Sequence, residues 1–142
     1  MVEHKINAIQ FEIKPIGIIR NIDNLAWLEI ELQYQKALEG LEQFSHIHVF
    51  YWLHKNDTPE FRAFLKVHPC GNPENPLTGV FATHSPKRPN PIALTRCHIT
   101  GIEPGRVFLD EIDAFDQSPL IDIKSYFPLD TPIADFQVPD WK

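Results

Sequence analysis

The chain has 142 residues, 43% of them apolar, which suits one globular domain with a real core and excludes a disordered chain. A net charge of −6 argues against a general nucleic-acid binder, and no stretch reaches the roughly 20 apolar residues of a membrane span. Cys70 and Cys97 are too few for a three-cysteine iron–sulfur motif and lack CxxC or zinc-ribbon spacing; with no signal-peptide pattern in "MVEHKINAIQ", a cytoplasmic location is expected.

"FEIKPIGIIR" (11–20) is β-branched and reads as a strand, with Pro15 implying an edge or a bulge. "LAWLEIELQY" alternates: Ala26, Leu28, Ile30, Leu32 and Tyr34 point one way, as in a half-buried strand. The short "NIDN" between the two predicts a hairpin. "KALEGLEQF" suits a short helix limited by Gly40. "FSHIHVFYWLH" (44–54) is apolar or aromatic on both parities, which predicts a central strand covered on both faces. "TPEFRAFLKVH" has Thr58 as N-cap and Pro59 at the first helical position, so a helix is expected there.

After a "PCGNPENP" loop, "LTGVFAT", "IALTRCHITGIE", "GRVFLDEIDAF" and "LIDIKSYFP" read as strands. The tail "LDTPIADFQVPDWK" keeps Ile133, Phe136, Val138 and Trp141 and is expected to pack across the barrel or a partner. Six or seven short strands with one or two short helices predict a mostly β fold, an antiparallel barrel or sandwich, as one domain over residues 1–142. No GxGxxG follows a strand, which argues against a Rossmann domain.

Charge is unevenly spread. Residues 1–53 carry 4 basic and 7 acidic groups, residues 54–106 carry 7 and 4, and residues 107–142 carry 2 and 8. The cationic middle third contains "FATHSPKRPNPIALTRC" (81–97). There Pro86, Pro89 and Pro91 fix their own φ and push Ser85, Arg88 and Asn90 into extended geometry. Such a stiff turn suits a loop that presents His84, Arg88 and Asn90 to a ligand, and equally a plain surface crossover. His46 and His48 share a strand face and make a possible start to a metal site, though packed histidines are the more frequent use of such a pair. Asp116-Gln117-Ser118-Pro119 is a turn sequence, after which Asp122, Lys124 and Tyr126 share a strand face that suits a pocket wall or a solvated ladder.

These blocks resemble a known family. "KPIGIIR", "LEGLEQFSHIHVFYWLH", "GVFATHSPKRPNPIALT" and "DAFDQSPLIDIKSYFP" are similar, in order, to the successive blocks of the TrmO/TsaA-like family, and cover most of residues 14–130. The family pattern reads "GVFATRSPFRPNPIGLS" and then "DGTPVLDIKPY". The resemblance implies a single-sheeted antiparallel β-barrel, a homodimer, and a methyltransferase dependent on S-adenosylmethionine (SAM). The implied reaction is N6-methylation of threonylcarbamoyladenosine at position 37 of tRNA. This chain reads as a short form without the C-terminal extra domain of longer members.

By resemblance, the cofactor contacts fall on His54, Lys55, His84, Leu94, Asp116, Gln117, Ser118 and Pro119. Asp116 and Asp122 are the candidate proton acceptors. Lys87, Arg88, Asn90, Lys124 and Tyr126 are the candidate substrate contacts, and no metal is assigned. The chain departs from the pattern at His84, Ala93 and Gln117, and its "NIDNLA" connection is shorter than the family's. Two other readings keep the barrel: a SAM-dependent enzyme with a small-molecule acceptor, and a non-enzymatic module binding a ligand, or a metal at His46 and His48.

Overall fold

The computed structural model describes residues 9–128 and 132–142. Six strands close into one antiparallel barrel: β1 (Gly17–Ile22), β2 (Leu25–Ile30), β3 (His46–Trp52), β6 (Ile92–Glu103), β7 (Arg106–Leu109) and β8 (Ser118–Ser125). Around the barrel the order is β1, β2, β7, β6, β3, β8. Two further strands, β4 (Lys66–Val67) and β5 (Thr78–Gly79), pair with each other outside it. The resemblance implied this mostly β, single-sheeted barrel with few short helices, and the structure has it.

Strand alternation explains the core. Ile19, Leu28, Ile47, Val49, Val107 and Leu120 are wholly buried, and Cys97 nearly so, so every barrel strand sends an inward side chain to one cluster. A six-stranded barrel is narrow enough for these side chains to fill it. Burial pushes the Cys97 thiol up to about 12, which leaves it protonated and inert. The β1–β2 hairpin turns on Asp23 and Asn24, with φ of 51° and 64°, the left-handed pair that two-residue hairpins require. Gly17 is needed at the start of β1 because a Cβ there would stand 1.9 Å from the Glu29 carbonyl oxygen.

Several expectations change. β1 begins at Gly17 rather than Phe11, because the ladder to β8 begins at Gly17–Leu120. β2 stops at Ile30: its partner β7 runs out at Glu29–Arg106, and Leu32–Leu38 coil into a 3₁₀ segment instead. The expected helix after Thr58 is a single turn, α1 (Pro59–Arg62), capped by the Thr58 hydroxyl oxygen, which accepts from the Phe61 N–H at 3.1 Å. The chain leaves it because Lys66–Val67 pair with Thr78–Gly79, and only those two residues of "LTGVFAT" are strand. β3 is fully buried on one face, not two: Ile47, Val49 and Tyr51 point inward, and His46, His48, Phe50 and Trp52 lie half-buried on the barrel exterior. Of the tail, Ile133 and Phe136 are exposed, while Trp141 is partly covered; residues 129–131 of that stretch lie outside the described residues. No helix among the described residues is long and apolar enough to cross a membrane.

Candidate functional site

The two mouths of the barrel differ. At one, Tyr34, Leu38 and Leu41 of the β2–β3 connection pack onto the core and plug it. At the other, the long β3–β6 connection and the β7–β8 connection surround a pocket of about 740 Å³. Such a volume suits a ligand the size of a nucleoside with an attached side chain.

The pocket wall from β6 is Ile92, Ala93, Leu94 and Thr95, and β3 adds Tyr51 and Leu53 just beyond it. The β7–β8 connection adds Ile112, Asp113, Ala114 and Phe115. That connection is shaped by Asn21, whose side-chain amide donates to the Ile112 and Ala114 carbonyls at 3.0 and 2.8 Å. The Tyr51 hydroxyl donates to the Asp113 carbonyl, and burial raises its pKa, so it stays a neutral donor. Opposite these apolar groups stand His84, Pro86 and Arg88 of the proline-rich block.

The block is held by borrowed donors. Prolines lack an N–H, and arginine side chains take over part of that role. Arg88 Nη1 donates to the Thr83 and Ser85 carbonyls, each at 3.1 Å, folding the block on itself. Arg62 of α1 donates through Nε to the Pro89 carbonyl at 2.7 Å and through Nη2 to Asn90 Oδ1 at 3.2 Å. Arg62 is itself set by Asp57, 3.3 Å away, and lies over the Trp52 ring. No sequence motif pointed to Arg62, because its partners are 27 and 28 positions away.

The residues expected to form the site do not all reach the pocket. His84, Arg88, Leu94 and Ser118 line the pocket. Lys55 stands at its rim, with Nζ 4.2 Å from the centroid of the Phe115 ring, and His54 adjoins Leu53 with a buried, unpartnered Nδ1. Asp116, Gln117 and Pro119 build the turn behind it. Asp116 Oδ1 accepts from Arg20 Nε at 2.9 Å and from the Asn21 N–H at 3.0 Å. The hydrogen bond from Arg20 is the main reason its carboxyl is held below the ordinary range, and Arg20 is raised in return. Gln117 is left-handed, with φ of 68°, and donates its N–H to the Ile19 carbonyl, while Pro119 pairs with Ile18. Asn90 is engaged by Arg62, and Lys87 faces away from the pocket, beside Phe61 and Phe64.

Asp122, Lys124 and Tyr126 lie elsewhere. Asp122 sits opposite Phe50 on the barrel exterior, its Oδ1 accepting from the Ile123 N–H. Lys124 pairs with His48, and the Tyr126 ring lies against His46, His48 and the Arg96 guanidinium, toward the plugged mouth. His46 and His48 form no metal nest there: His46 stacks on His98 at 4.8 Å between ring centroids, and no metal-binding group of three His, Cys, Asp or Glu occurs among the described residues. Sequence reasoning missed Asn21, Tyr51, Asn56 and the whole Ile112–Phe115 wall. Only the inward parity of Tyr51 at the end of β3 signalled any of them.

The family model for the tRNA-methyltransferase O N-terminal domain matches residues 14–131. The chain belongs to that family. It is 49% identical over 116 residues to a probable S-adenosyl-L-methionine-binding protein of Pyrococcus horikoshii, covering 82% of each chain. It is 45% identical to one from Methanocaldococcus jannaschii, covering 82% of this chain and 92% of that one. With the mouse tRNA (adenine(37)-N6)-methyltransferase it shares 40% identity over 105 residues, 74% of this chain but 22% of that protein. The crystal structure of TrmO from Pseudomonas aeruginosa superposes with a TM-score of 0.70 at 29% identity, covering 94% of this chain and 62% of that one. The chain thus spans less than two thirds of the solved TrmO chain.

Proposed function

We propose that this member of the TrmO N-terminal domain family is a SAM-dependent methyltransferase acting on tRNA, with threonylcarbamoyladenosine as the methylated nucleoside. The observation that carries the reading is the open-mouth pocket, apolar on the β6 and β7–β8 side and cationic on the proline-rich side. The donor set fits SAM. Leu53, Leu94 and Phe115 offer an apolar slot for adenine, and Asp113 is the one carboxylate among the lining residues, suited to ribose hydroxyls. Arg88 spends Nη1 on two carbonyls, which leaves its charge and remaining N–H groups to meet the methionyl carboxylate, with His84 beside it.

Bound SAM would supply an electrophilic methyl group to a nitrogen of the acceptor. The chain's own work is mostly positioning. The block clamped by Arg62 and Arg88 holds one wall, and Asn21 and Tyr51 hold the other. The proton acceptors expected from sequence stand apart from this pocket. Asp116 is engaged by Arg20 and Asn21, and Asp122 is exposed on the exterior, so Asp113 is the nearer carboxylate to test.

A homodimer belongs to the same proposal. Ile92, Leu94 and Phe115 are 40%, 54% and 57% exposed at the open mouth, an apolar rim that a second copy would cover. Gel filtration with light scattering tests it, and a monomer removes that wall. Calorimetric titration with SAM, followed by tritiated methyl transfer to tRNA from a strain lacking this gene, tests the activity. Saturable binding and label in the threonylcarbamoyl nucleoside are expected. No SAM binding at millimolar ligand overturns the proposal. Label confined to unmodified adenosine, or appearing in a small molecule instead of tRNA, overturns its substrate.

A further inference from the structure

His84 and Pro86 have a second side. They also line another groove, of about 840 Å³, between the β4–β5 region and the C-terminal tail. Phe64, Val67, Pro69 and Leu77 give it an apolar wall, and Val138 and Trp141 close it from the tail. Its charged side chains are of one sign: Lys66, Lys87 and Lys142, with His68 and His84, and no aspartate or glutamate among the lining residues. In a chain of net charge −6 this is a local inversion.

Among the described residues, Lys66 and Lys87 are not paired with carboxylates. Lys87 Nζ instead lies 4.8 Å from the Phe64 ring centroid and 5.2 Å from that of Phe61. Aromatic faces hold the ammonium group in place without neutralising it. The groove therefore combines flat apolar surfaces, which stack a planar ring, with uncompensated cations at the same wall.

We infer that this groove is a nucleotide subsite: it seats a planar base bearing an anion, with the ring against Phe64 and Trp141 and the anion on Lys66 and Lys87. That this nucleotide belongs to the methylated RNA rests on the methyl-transfer reading; the binding chemistry does not. His84 and Pro86 line both pockets, so the groove and the first pocket share one short backbone segment as a wall. The anion is a phosphate attached to the nucleoside or a carboxylate carried on the base, and both meet the same lysines.

Cys70 provides a direct readout, being exposed and part of the groove lining, whereas Cys97 is buried and inert. The test measures the rate of N-ethylmaleimide addition to Cys70 against rising adenosine, adenosine 5′-monophosphate and N6-threonylcarbamoyladenosine nucleoside, without SAM. At least one anionic nucleoside is expected to slow the reaction at saturation, with neutral adenosine binding about tenfold more weakly. Stronger protection by the monophosphate identifies phosphate as the anion; stronger protection by the carbamoylated nucleoside identifies the base-borne carboxylate. Lys66→Ala should weaken the protecting nucleoside about tenfold, Lys66→Arg should restore it, and Trp141→Ala should weaken it about fivefold, with SAM affinity unchanged in each.

Equal protection by adenosine, no protection at millimolar ligand, or unchanged affinity in Lys66→Ala overturns the inference. Each of those outcomes leaves SAM binding and methyl transfer as separate measurements. Conversely, absence of SAM binding overturns the methyltransferase reading while leaving protection by the anionic nucleosides in place.

Discussion

The two mouths of this barrel are closed by different means. At the plugged mouth, a connection of 15 residues between Ile30 and His46 turns Tyr34, Leu38 and Leu41 inward, so the chain's own apolar side chains finish the core. At the open mouth, the longer connection between Trp52 and Ile92 builds α1, the β4–β5 pair and the proline-rich block, yet leaves Ile92, Leu94 and Phe115 uncovered. The lesson is one of division: where a connection buries its own apolar groups it stabilises, and where it stiffens itself instead, it leaves room for a ligand.

Substitutions at the two mouths should therefore separate stability from binding. The largest effect is expected from Gly17→Ala at the plugged mouth, where the new Cβ collides with the Glu29 carbonyl oxygen. Urea unfolding should show a loss of about 3 kcal/mol, the upper part of the range for overpacked sites. An unchanged midpoint would mean that β1 and β2 are not so closely apposed there.

At the open mouth, Leu94→Asp should raise the SAM dissociation constant more than about tenfold while leaving unfolding within about 0.5 kcal/mol of the parent, since Leu94 is half exposed. Equal losses in both measurements would erase the contrast between the mouths. Asp113→Asn sharpens the assignment inside the pocket. A ribose contact predicts weaker SAM binding, and a proton-accepting role predicts slower turnover at unchanged SAM affinity.

Arg62→Ala reaches the pocket indirectly, by freeing the Pro89 carbonyl and Asn90. SAM affinity should fall about threefold to tenfold and be partly rescued by Arg62→Lys, which keeps one donor. His84→Ala is a smaller test of the family contact, and unchanged SAM and nucleotide affinity there removes His84 from both pockets.

The smallest expected effect concerns acid. The Asp116 carboxyl is depressed by its hydrogen bonds from Arg20 and Asn21, so its contribution is present above the ordinary carboxylate pKa and lost as pH falls through the lowered folded value. Asp116→Asn should flatten that acid limb of the stability curve. A parallel curve would show that the pair contributes nothing measurable.

The barrel was legible in the sequence to a useful degree. Alternation in "LAWLEI" fixed the inward set Ala26, Leu28 and Ile30, and "IALTRCHITGIE" matched β6 residue for residue. Strand ends were less legible because they depend on where a partner stops: β2 ends with β7 at the Glu29–Arg106 pair, far apart in sequence. The site was half legible. The proline-rich block announced itself, and His84, Arg88 and Leu94 line the pocket. The opposite wall, Ile112–Phe115, did not, since "IDAF" has no local signature and is shaped by Asn21, more than 90 positions away. The groove behind the block was visible only as a surplus of positive charge in the middle third.

The proline-rich block also decides how its motion can be observed. Pro86, Pro89 and Pro91 contribute no exchangeable amide, so hydrogen-exchange mass spectrometry and amide NMR see the segment that walls the pocket only at the residues between them. Its reporters are the side-chain protons of its clamps. Arg62 Nε, bonded to the Pro89 carbonyl at 2.7 Å, should give a slowly exchanging guanidinium resonance that broadens whenever the wall loosens.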